Sequence, residues 1–180
     1  ASDVYKRQIS AYGEHGAIVH YSADEKSNVP LKEGKLFMTD TGGHYLEGST
    51  DITRTVALGE VGNIEKEHFT LVARAMLRLA NTVFLYGCSG ANLDCIAREV
   101  FWKEGLNFNH GTGHGVGYLL NIHEGPINFR WKEGERPAPA LEENMVITDE
   151  PGIYIEGSHG IRLENELLVR KTVKLSLIHI

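Results

Sequence analysis

The sequence predicts an α+β domain in which two helices lie between two strand-rich halves. Three observations support this fold class. Two central segments have the helical period, the segments before and after them alternate or form short apolar runs, and acidic residues recur in the same order in both halves. With 180 residues, 42% of them hydrophobic, the chain is long enough for one substantial core, so we expect a single domain over residues 1–180.

Both helices are predicted from apolar residues spaced three and four positions apart, which places them on one face. The first helix is expected over residues 66–86. The second is expected to begin near Asn92, a suitable N-cap residue, and to end at Glu104, before a glycine typical of helix C-termini. Cys95 falls on the apolar face of this second helix, so we expect a buried free thiol.

The remaining segments are predicted as strands and turns. Gly42-Gly43 has the composition of a turn, and residues 128–139, with their charges and prolines, have that of an exposed loop. The predicted strands are 17–21, 35–41, 44–46, 50–58, 144–149, 152–155 and 160–170.

Four acids are candidate metal ligands because they lie in or beside these apolar runs. In each half, an acid that ends a strand is followed by a glycine-containing turn and then by a second acid. A carboxylate in an apolar strand is costly unless its charge is compensated. Taken singly, each acid also fits a turn, a strand edge or a surface ion pair. The four are Asp40 and Asp51 in the first half, and Glu150 and Glu164 in the second.

A glycine-rich segment, HGTGHGVGYLLNIHEGP, adds His110, His114 and His123. Its glycines argue against a helix and allow the backbone to approach a metal or substrate closely. Four carboxylates converging with the imidazole of His114 would repel one another, and two divalent cations would remove that repulsion. Oxygen ligands with one imidazole favour Mn²⁺, Co²⁺, Fe²⁺ or Zn²⁺ over a structural thiolate zinc site.

Charge, apolar content and cysteine spacing argue against several classes of function. The net charge of −6 comes without a basic stripe, which argues against nucleic acid as a partner. No segment reaches the ~18 apolar residues of a membrane span, and no signal peptide is visible. The two cysteines have neither a zinc, a redox nor a disulfide-framework spacing. We therefore expect a cytoplasmic protein without membrane or nucleic-acid partners.

Four motifs resemble, in the same order, those of the catalytic domain of Xaa-Pro aminopeptidases (aminopeptidase P): DTGGHYLEGSTDITRT, HGTGHGVGYLLNIHEGP, ITDEPGIY and GIRLENE. These enzymes belong to the creatinase and methionine aminopeptidase superfamily, peptidase family M24. The resemblance covers residues 16–169 or so. It implies the pita-bread fold, with two pseudo-symmetric halves around a curved antiparallel sheet and helices on the outer face. It also implies that the N-terminal part of the domain is missing, so that residues 1–180 are a truncated catalytic domain.

The resemblance also implies a role for each candidate ligand. Asp40 would bind one metal, His114 and Glu150 the other, and Asp51 and Glu164 would bridge both. The metals would be manganese, with cobalt, zinc or iron as alternatives. A hydroxide bridging the two metals would attack the peptide bond that precedes proline.

Further residues match positions around the substrate in this family. His20 and His123 would line the substrate site as catalytic residues, with Glu150 as the proton shuttle to the leaving nitrogen. His110 and Arg162 would be supporting residues, the arginine as a partner of the metal-binding carboxylates.

Two alternatives to an Xaa-Pro aminopeptidase stay open. One is a prolidase-like dipeptidase, although IHEGP looks more like aminopeptidase P. The other is a catalytically silent pita-bread module that binds peptides or proteins. For the enzyme, the expected partners are peptides with proline at the second position, and a homodimer is possible for the full-length protein.

Overall fold

The computed structural model describes residues 8–132 and 137–172, and the backbone of residues 177–179. Two α-helices and a series of antiparallel strand pairs in these residues confirm the α+β class. The strands are β1 (Ile9–Tyr12), β2 (Lys35–Tyr45), β3 (Gly48–Leu58), β4 (Val83–Leu85), β5 (Gly113–His114), β6 (Asn128–Phe129), β7 (Val146–Asp149), β8 (Gly152–Ile155), β9 (His159–Arg162), β10 (Asn165–Leu168), β11 (Arg170–Lys171) and β12 (Leu177–His179). The helices are α1 (Asn63–Ala80) and α2 (Gly90–Trp102), and a short 3₁₀ helix spans Gly13–Ala17.

The first half of the chain is a three-stranded antiparallel sheet in the order β1-β2-β3. Contrary to the prediction, Gly42-Gly43 is not a turn, because β2 continues through it to Tyr45 and the chain reverses after that residue. A side chain at Gly43 would lie 2.9 Å from the ring of Tyr45, so this glycine serves packing instead of chain reversal. The strand predicted at 17–21 is also wrong, since a 3₁₀ helix and a turn occupy that segment.

The two helices differ from the prediction at their ends. The first ends at Ala80 instead of residue 86, and Asn81 caps it by donating from Nδ2 to the carbonyl of Leu77 (2.7 Å). The β-branched pair Thr82-Val83 then leads into β4, as β-branched residues favour strands. Helix α2 begins one turn early, with Ser89 as N-cap and Asn92 in its capping box.

The core is formed by α1 and α2 packed against the strands of the second half. In that half β7 pairs with β10 and β8 with β9, all antiparallel. Cys95 is exposed, contrary to the prediction, because two charged residues of α2 occupy the buried face instead. The fully buried side chains of this core include Val72, Leu79, Ala97, Phe101, Phe129, Ile147 and Ile161.

The loop predicted at 128–139 is only partly a loop. Its first two residues form β6, which pairs with β5, and Phe129 is fully buried. Residues 133–136 lie outside the described part of the chain. No helix among the described residues is long and apolar enough to cross a membrane.

Candidate metal centre

Asp40 and Asp51 come from the β2–β3 hairpin. The register pairs Asp40 with Thr53 and Gly42 with Asp51, so the two acids are two positions apart across the ladder. Paired and alternate residues face the same side of a sheet, so both carboxylates project from one face. Both acids are buried, Asp51 to 3% exposure and Asp40 to 6%. The alternation predicted around Asp51 is confirmed, since Thr53 is buried beside it on the same face.

Glu164 lies between β9 and β10 and is held by β3. Its backbone N–H donates to the carbonyl of Thr53 (3.1 Å), and Thr53 Oγ1 donates to Glu164 Oε2 (2.6 Å). The other carboxylate oxygen, Oε1, is buried and accepts no hydrogen bond from any described residue. Burial, followed by the charges of Glu150 and Asp51, raises the pKa of Glu164 to about 9. A buried acid in this condition would be stabilised by a cation.

His114 is in β5, and its backbone N–H donates to Thr148 Oγ1 (3.0 Å). Ring atom Nδ1 lies 3.0 Å from the carbonyl of Gly115, which can only accept, so Nδ1 carries the proton of the neutral ring. Nε2 therefore faces the acids, 3.3 Å from Glu150 Oε1 and 3.7 Å from Asp51 Oδ2. Burial opposes protonation of this ring, but the hydrogen bond and charge of Glu150 outweigh it and raise the pKa of His114.

Glu150 follows β7 and is held at both its backbone and its side chain. Its N–H donates to the carbonyl of Thr112 (2.7 Å), and Thr148 Oγ1 donates to its Oε1 (3.2 Å). Burial favours the neutral carboxyl, but the hydrogen bond and charge of His114 lower the pKa of Glu150. The two residues therefore favour an ion pair wherever no other cation lies between them.

These side chains meet at one place. Ligand atoms of Asp51, His114 and Glu164 all lie within 4.8 Å of one another. Above them is a cavity of about 560 Å³, which Asp40 and Glu150 also line. The other predicted site residues that line it are His20, His110, His123 and Arg162.

A chain of hydrogen bonds connects His110 to Asp40. His110 Nδ1 donates to the carbonyl of Gly111 (2.7 Å), which leaves Nε2 to accept from the hydroxyl of Tyr154 (2.8 Å). Arg162 donates from Nη1 to that hydroxyl oxygen (2.9 Å) and from Nη2 to Asp40 Oδ2 (2.8 Å). Burial lowers the pKa of His110 and raises that of Tyr154 to about 12, so both are neutral near pH 7.

His20 and His123 lie at the rim of the cavity, and both are exposed. The ring of His123 stacks edge-on against His114, with 4.4 Å between centroids. His20 comes from the turn that follows the 3₁₀ helix, on the side of the cavity formed by the first half of the chain. The two halves therefore each place one histidine at the mouth.

Comparison with known proteins decides the family. Residues 3–171 match metallopeptidase family M24. The chain belongs to this family. It is 44% identical over 163 residues to Aminopeptidase P1 of Lotus japonicus, covering 91% of this chain and 24% of that protein. It is 43% identical over 163 residues to a probable Xaa-Pro aminopeptidase P of Aspergillus oryzae, covering 91% and 25%. The chain thus spans about a quarter of the length of these M24 relatives.

Solved M24 structures share the fold. An X-prolyl aminopeptidase from Caenorhabditis elegans, described as a cytosolic enzyme with a di-nuclear active site, matches with a TM-score of 0.91 and 37% identity, covering 98% of this chain and 29% of that one. Prolidase from Pyrococcus furiosus matches with a TM-score of 0.78 and 35% identity, covering 92% and 46%. The pita-bread fold implied by the sequence motifs is confirmed.

The described residues fit the divalent metals that membership of the M24 family implies. Nε2 of His114 faces the carboxylates of Asp51 and Glu150, Glu164 lies within 4.8 Å of Asp51 and His114, and Asp40 lines the same cavity. The buried Oε1 of Glu164, which accepts no hydrogen bond from the described residues, lies among them. Oxygen ligands with one imidazole suit hard or borderline divalent cations.

Sequence reasoning missed two parts of this M24 site. Tyr154, which bridges His110 and Arg162, gave no signal beyond its place in a short strand. Asp94 and Arg98 form a buried ion pair beside the glycine-rich segment. Their i, i+4 spacing on an otherwise apolar helix face was the available signal.

Proposed function

We propose that this M24 chain belongs to the catalytic domain of a metal-dependent Xaa-Pro aminopeptidase and forms a single, truncated unit of it. Such an enzyme removes the first residue of a peptide whose second residue is proline. The observation that supports the proposal most strongly is the convergence of Asp51, His114 and Glu164 within 4.8 Å of one another, beside a cavity that Asp51 and His114 line. The Xaa-Pro aminopeptidase names of the relatives support the substrate class.

The five candidate ligands divide between two cations in this proposal. Asp40 would hold one, His114 and Glu150 would hold the other, and Asp51 and Glu164 would contribute to both. Manganese is the proposed metal because four carboxylates and one imidazole make an oxygen-rich site. When bound, the pair of cations would supply Lewis-acid polarisation of the scissile carbonyl and activation of water.

The surrounding residues orient these groups and move a proton. Glu150 would take the proton of the attacking water and deliver it to the imino nitrogen of the leaving proline. Arg162 holds the carboxylate of Asp40 in place from a buried position. His110, neutral and fixed through Tyr154, forms a wall of the cavity instead of acting as a proton donor.

The mouth of the cavity is proposed to select the peptide. His20 and His123 lie there and would contact the proline ring and the peptide backbone. The acidic floor favours the positively charged α-amino group of the substrate, which restricts cleavage to the first residue.

The test is hydrolysis of tripeptides of the form Xaa-Pro-Xaa by the intact protein, supplied with Mn²⁺ after treatment with a chelator. We expect release of the first residue, about two metals per chain by elemental content, and loss of activity in the chelated protein. Activity that survives complete metal removal, or no cleavage of any Xaa-Pro peptide by the metal-loaded protein, would contradict the proposal.

A prolidase-like dipeptidase is the second candidate, favoured by the match to Pyrococcus furiosus prolidase. The same assay separates the two functions. A prolidase cleaves Xaa-Pro dipeptides and spares longer peptides, whereas the proposed aminopeptidase cleaves peptides of three or more residues.

A further inference from the structure

A buried ion pair on α2 lies behind the glycine-rich segment and outside the cavity. Asp94 is 0% exposed and Arg98 is 2% exposed, and Arg98 Nε donates to Asp94 Oδ2 (2.8 Å). Asp94 also accepts from the backbone N–H of Trp131 (2.6 Å) and from the hydroxyl of Thr112. The carboxylate thus joins α2 to two segments that line the site.

Arg98 fixes the backbone of residues 107–110. It donates to the carbonyl of Phe108 (2.8 Å) and to that of His110 (2.7 Å), and more weakly to Asn107 Oδ1 (3.3 Å). Its guanidinium carbon also lies 4.0 Å from the centre of the Phe108 ring. The planar fork of arginine makes these bonds simultaneously, which a lysine cannot do. The position of His110 in the cavity wall therefore depends on Arg98.

Asp94 reaches the metal-binding side chains through Thr112. The carbonyl of Thr112 accepts from the N–H of Glu150 (2.7 Å), and its own N–H donates to Phe129 (2.8 Å). Gly113 connects Thr112 to His114 along the chain. The N–H of His114 donates to Thr148 Oγ1, and that hydroxyl donates to Glu150 Oε1. Two hydrogen bonds thus separate Asp94 from Glu150, whereas the path from Asp94 to Asp40 is longer and runs through Arg98, His110, Tyr154 and Arg162.

Stability alone does not account for this pair. Burying two charges costs solvation free energy, and well-packed apolar residues often stabilise a fold at least as well. Beyond their own bond, Arg98 donates only to groups of residues 107–110, and Asp94 accepts only from Thr112 and from Trp131, which follows the partner strand of β5.

We propose that Asp94 and Arg98 are positioning residues for one half of the site, the half formed by His110, His114 and Glu150. Asp94 fixes the positions of His114 and Glu150, the residues that would bind one metal. Arg98 fixes the position of His110, which forms part of the wall where the substrate would bind. The inference rests on the proposed function.

The main experiment compares Asp94→Asn with Glu99→Gln in the intact protein. Glu99 lies on the same helix but forms an exposed ion pair with Arg78 (2.7 Å), so it is a matched control. Each variant is stripped of metal and titrated with Mn²⁺ alone by calorimetry. Asp94→Asn should bind one metal as the parent does and the second about 10- to 100-fold more weakly, and Glu99→Gln should match the parent.

A pair of substitutions at Thr112 keeps the proposal testable if Asp94→Asn fails to fold. Thr112→Val removes the hydroxyl with little change of shape and should weaken the same metal, whereas Thr112→Ser should restore parental binding. Two metals bound with parental affinity in both Asp94→Asn and Thr112→Val would overturn the role of Asp94.

The role of Arg98 is tested by the kinetics of Arg98→Lys, which keeps the charge but not the fork. We expect the KM for an Xaa-Pro tripeptide to rise at least about 10-fold with metal content unchanged, since a displaced His110 weakens binding. A parental KM would overturn this role. If the parent itself binds no metal or cleaves no Xaa-Pro peptide, the proposed function fails. If the parent does both and the variants do not differ from it, the positioning role fails and the proposed function stands.

Discussion

The β2–β3 hairpin and the glycine-rich segment at residues 110–126 hold their candidate ligands by different means. In the hairpin, a continuous eleven-residue register fixes Asp40 and Asp51 on one face. In the glycine-rich segment, a two-residue strand carries His114, and hydrogen bonds from α2 and β7 supply the order that a short strand lacks. A regular ladder places a side chain by alternation alone, whereas an irregular segment depends on tertiary contacts at each residue.

The largest effect is expected at the hairpin, from Asp51→Ala. Loss of the carboxylate shared by both proposed cations should remove metal and activity together, by more than the about 100-fold typical of residues outside the ligand set. Metal content and tripeptide hydrolysis are the measurements. Ile52→Ala is the control, because the neighbouring side chain faces away from the site and is exposed. An active Asp51→Ala variant with parental metal content would show that Asp51 is not a shared ligand.

Gly113→Ala tests the other region. A methyl group at Gly113 would lie 1.8 Å from the carbonyl oxygen of Thr148, a backbone atom that cannot move without displacing β7. We expect a loss of about 1–3 kcal/mol or more in the free energy of unfolding, with weaker metal binding by His114. Denaturant unfolding and metal titration measure the two effects.

Gly125→Ala is the control for that substitution, since no atom lies within 4 Å of its added methyl group. Similar losses in both variants would mean that glycine flexibility, and not close packing against Thr148, matters in this segment.

Tyr154→Phe tests the link between the two regions. The hydroxyl joins His110 of the glycine-rich segment to Arg162, which binds Asp40 of the hairpin. Leaving these buried groups without that partner costs about 1–3 kcal/mol, which would lower kcat/KM by roughly 5- to 160-fold if it is felt in the transition state. Steady-state kinetics on an Xaa-Pro tripeptide give the value. Tyr86→Phe, which alters an exposed hydroxyl bound to Glu142, should leave kcat/KM unchanged; an equal loss there would deny Tyr154 a special role.

The sequence predicted the hairpin region better than the glycine-rich one for a physical reason. Alternation around Asp51 is a local property, so the buried face could be read directly, and the motif resemblance supplied the order of the ligands. Asp94 and Arg98 were not predicted because their i, i+4 spacing does not by itself tell a buried pair from an exposed one. The groups of residues 107–131 that bind and bury them are not revealed by any local pattern. Gly42-Gly43 was misread for the same kind of reason, since the ring of Tyr45 is what requires a glycine there.

The smallest effect is expected from a histidine pair that lies apart from both regions. His68 of α1 and His159 of β9 are buried, with His68 Nδ1 2.9 Å from His159 Nε2. Burial lowers the pKa of both rings, so both are neutral in the folded protein at pH 7. Because the unfolded chain takes up protons first, this stability is fully present above pH ~6.5 and is lost as the pH falls below it.

Acidification from about pH 7 to pH 5 should therefore lower the free energy of unfolding through this pair. Only one ring can donate in the hydrogen bond between them, so protonation of both sets two donors against each other. His159→Gln keeps a hydrogen-bonding group without the titration, and the pH dependence measured by denaturant unfolding should become shallower. His20→Gln changes an exposed histidine and should leave the slope as it is. An unchanged slope in His159→Gln would place the acid sensitivity of the fold elsewhere.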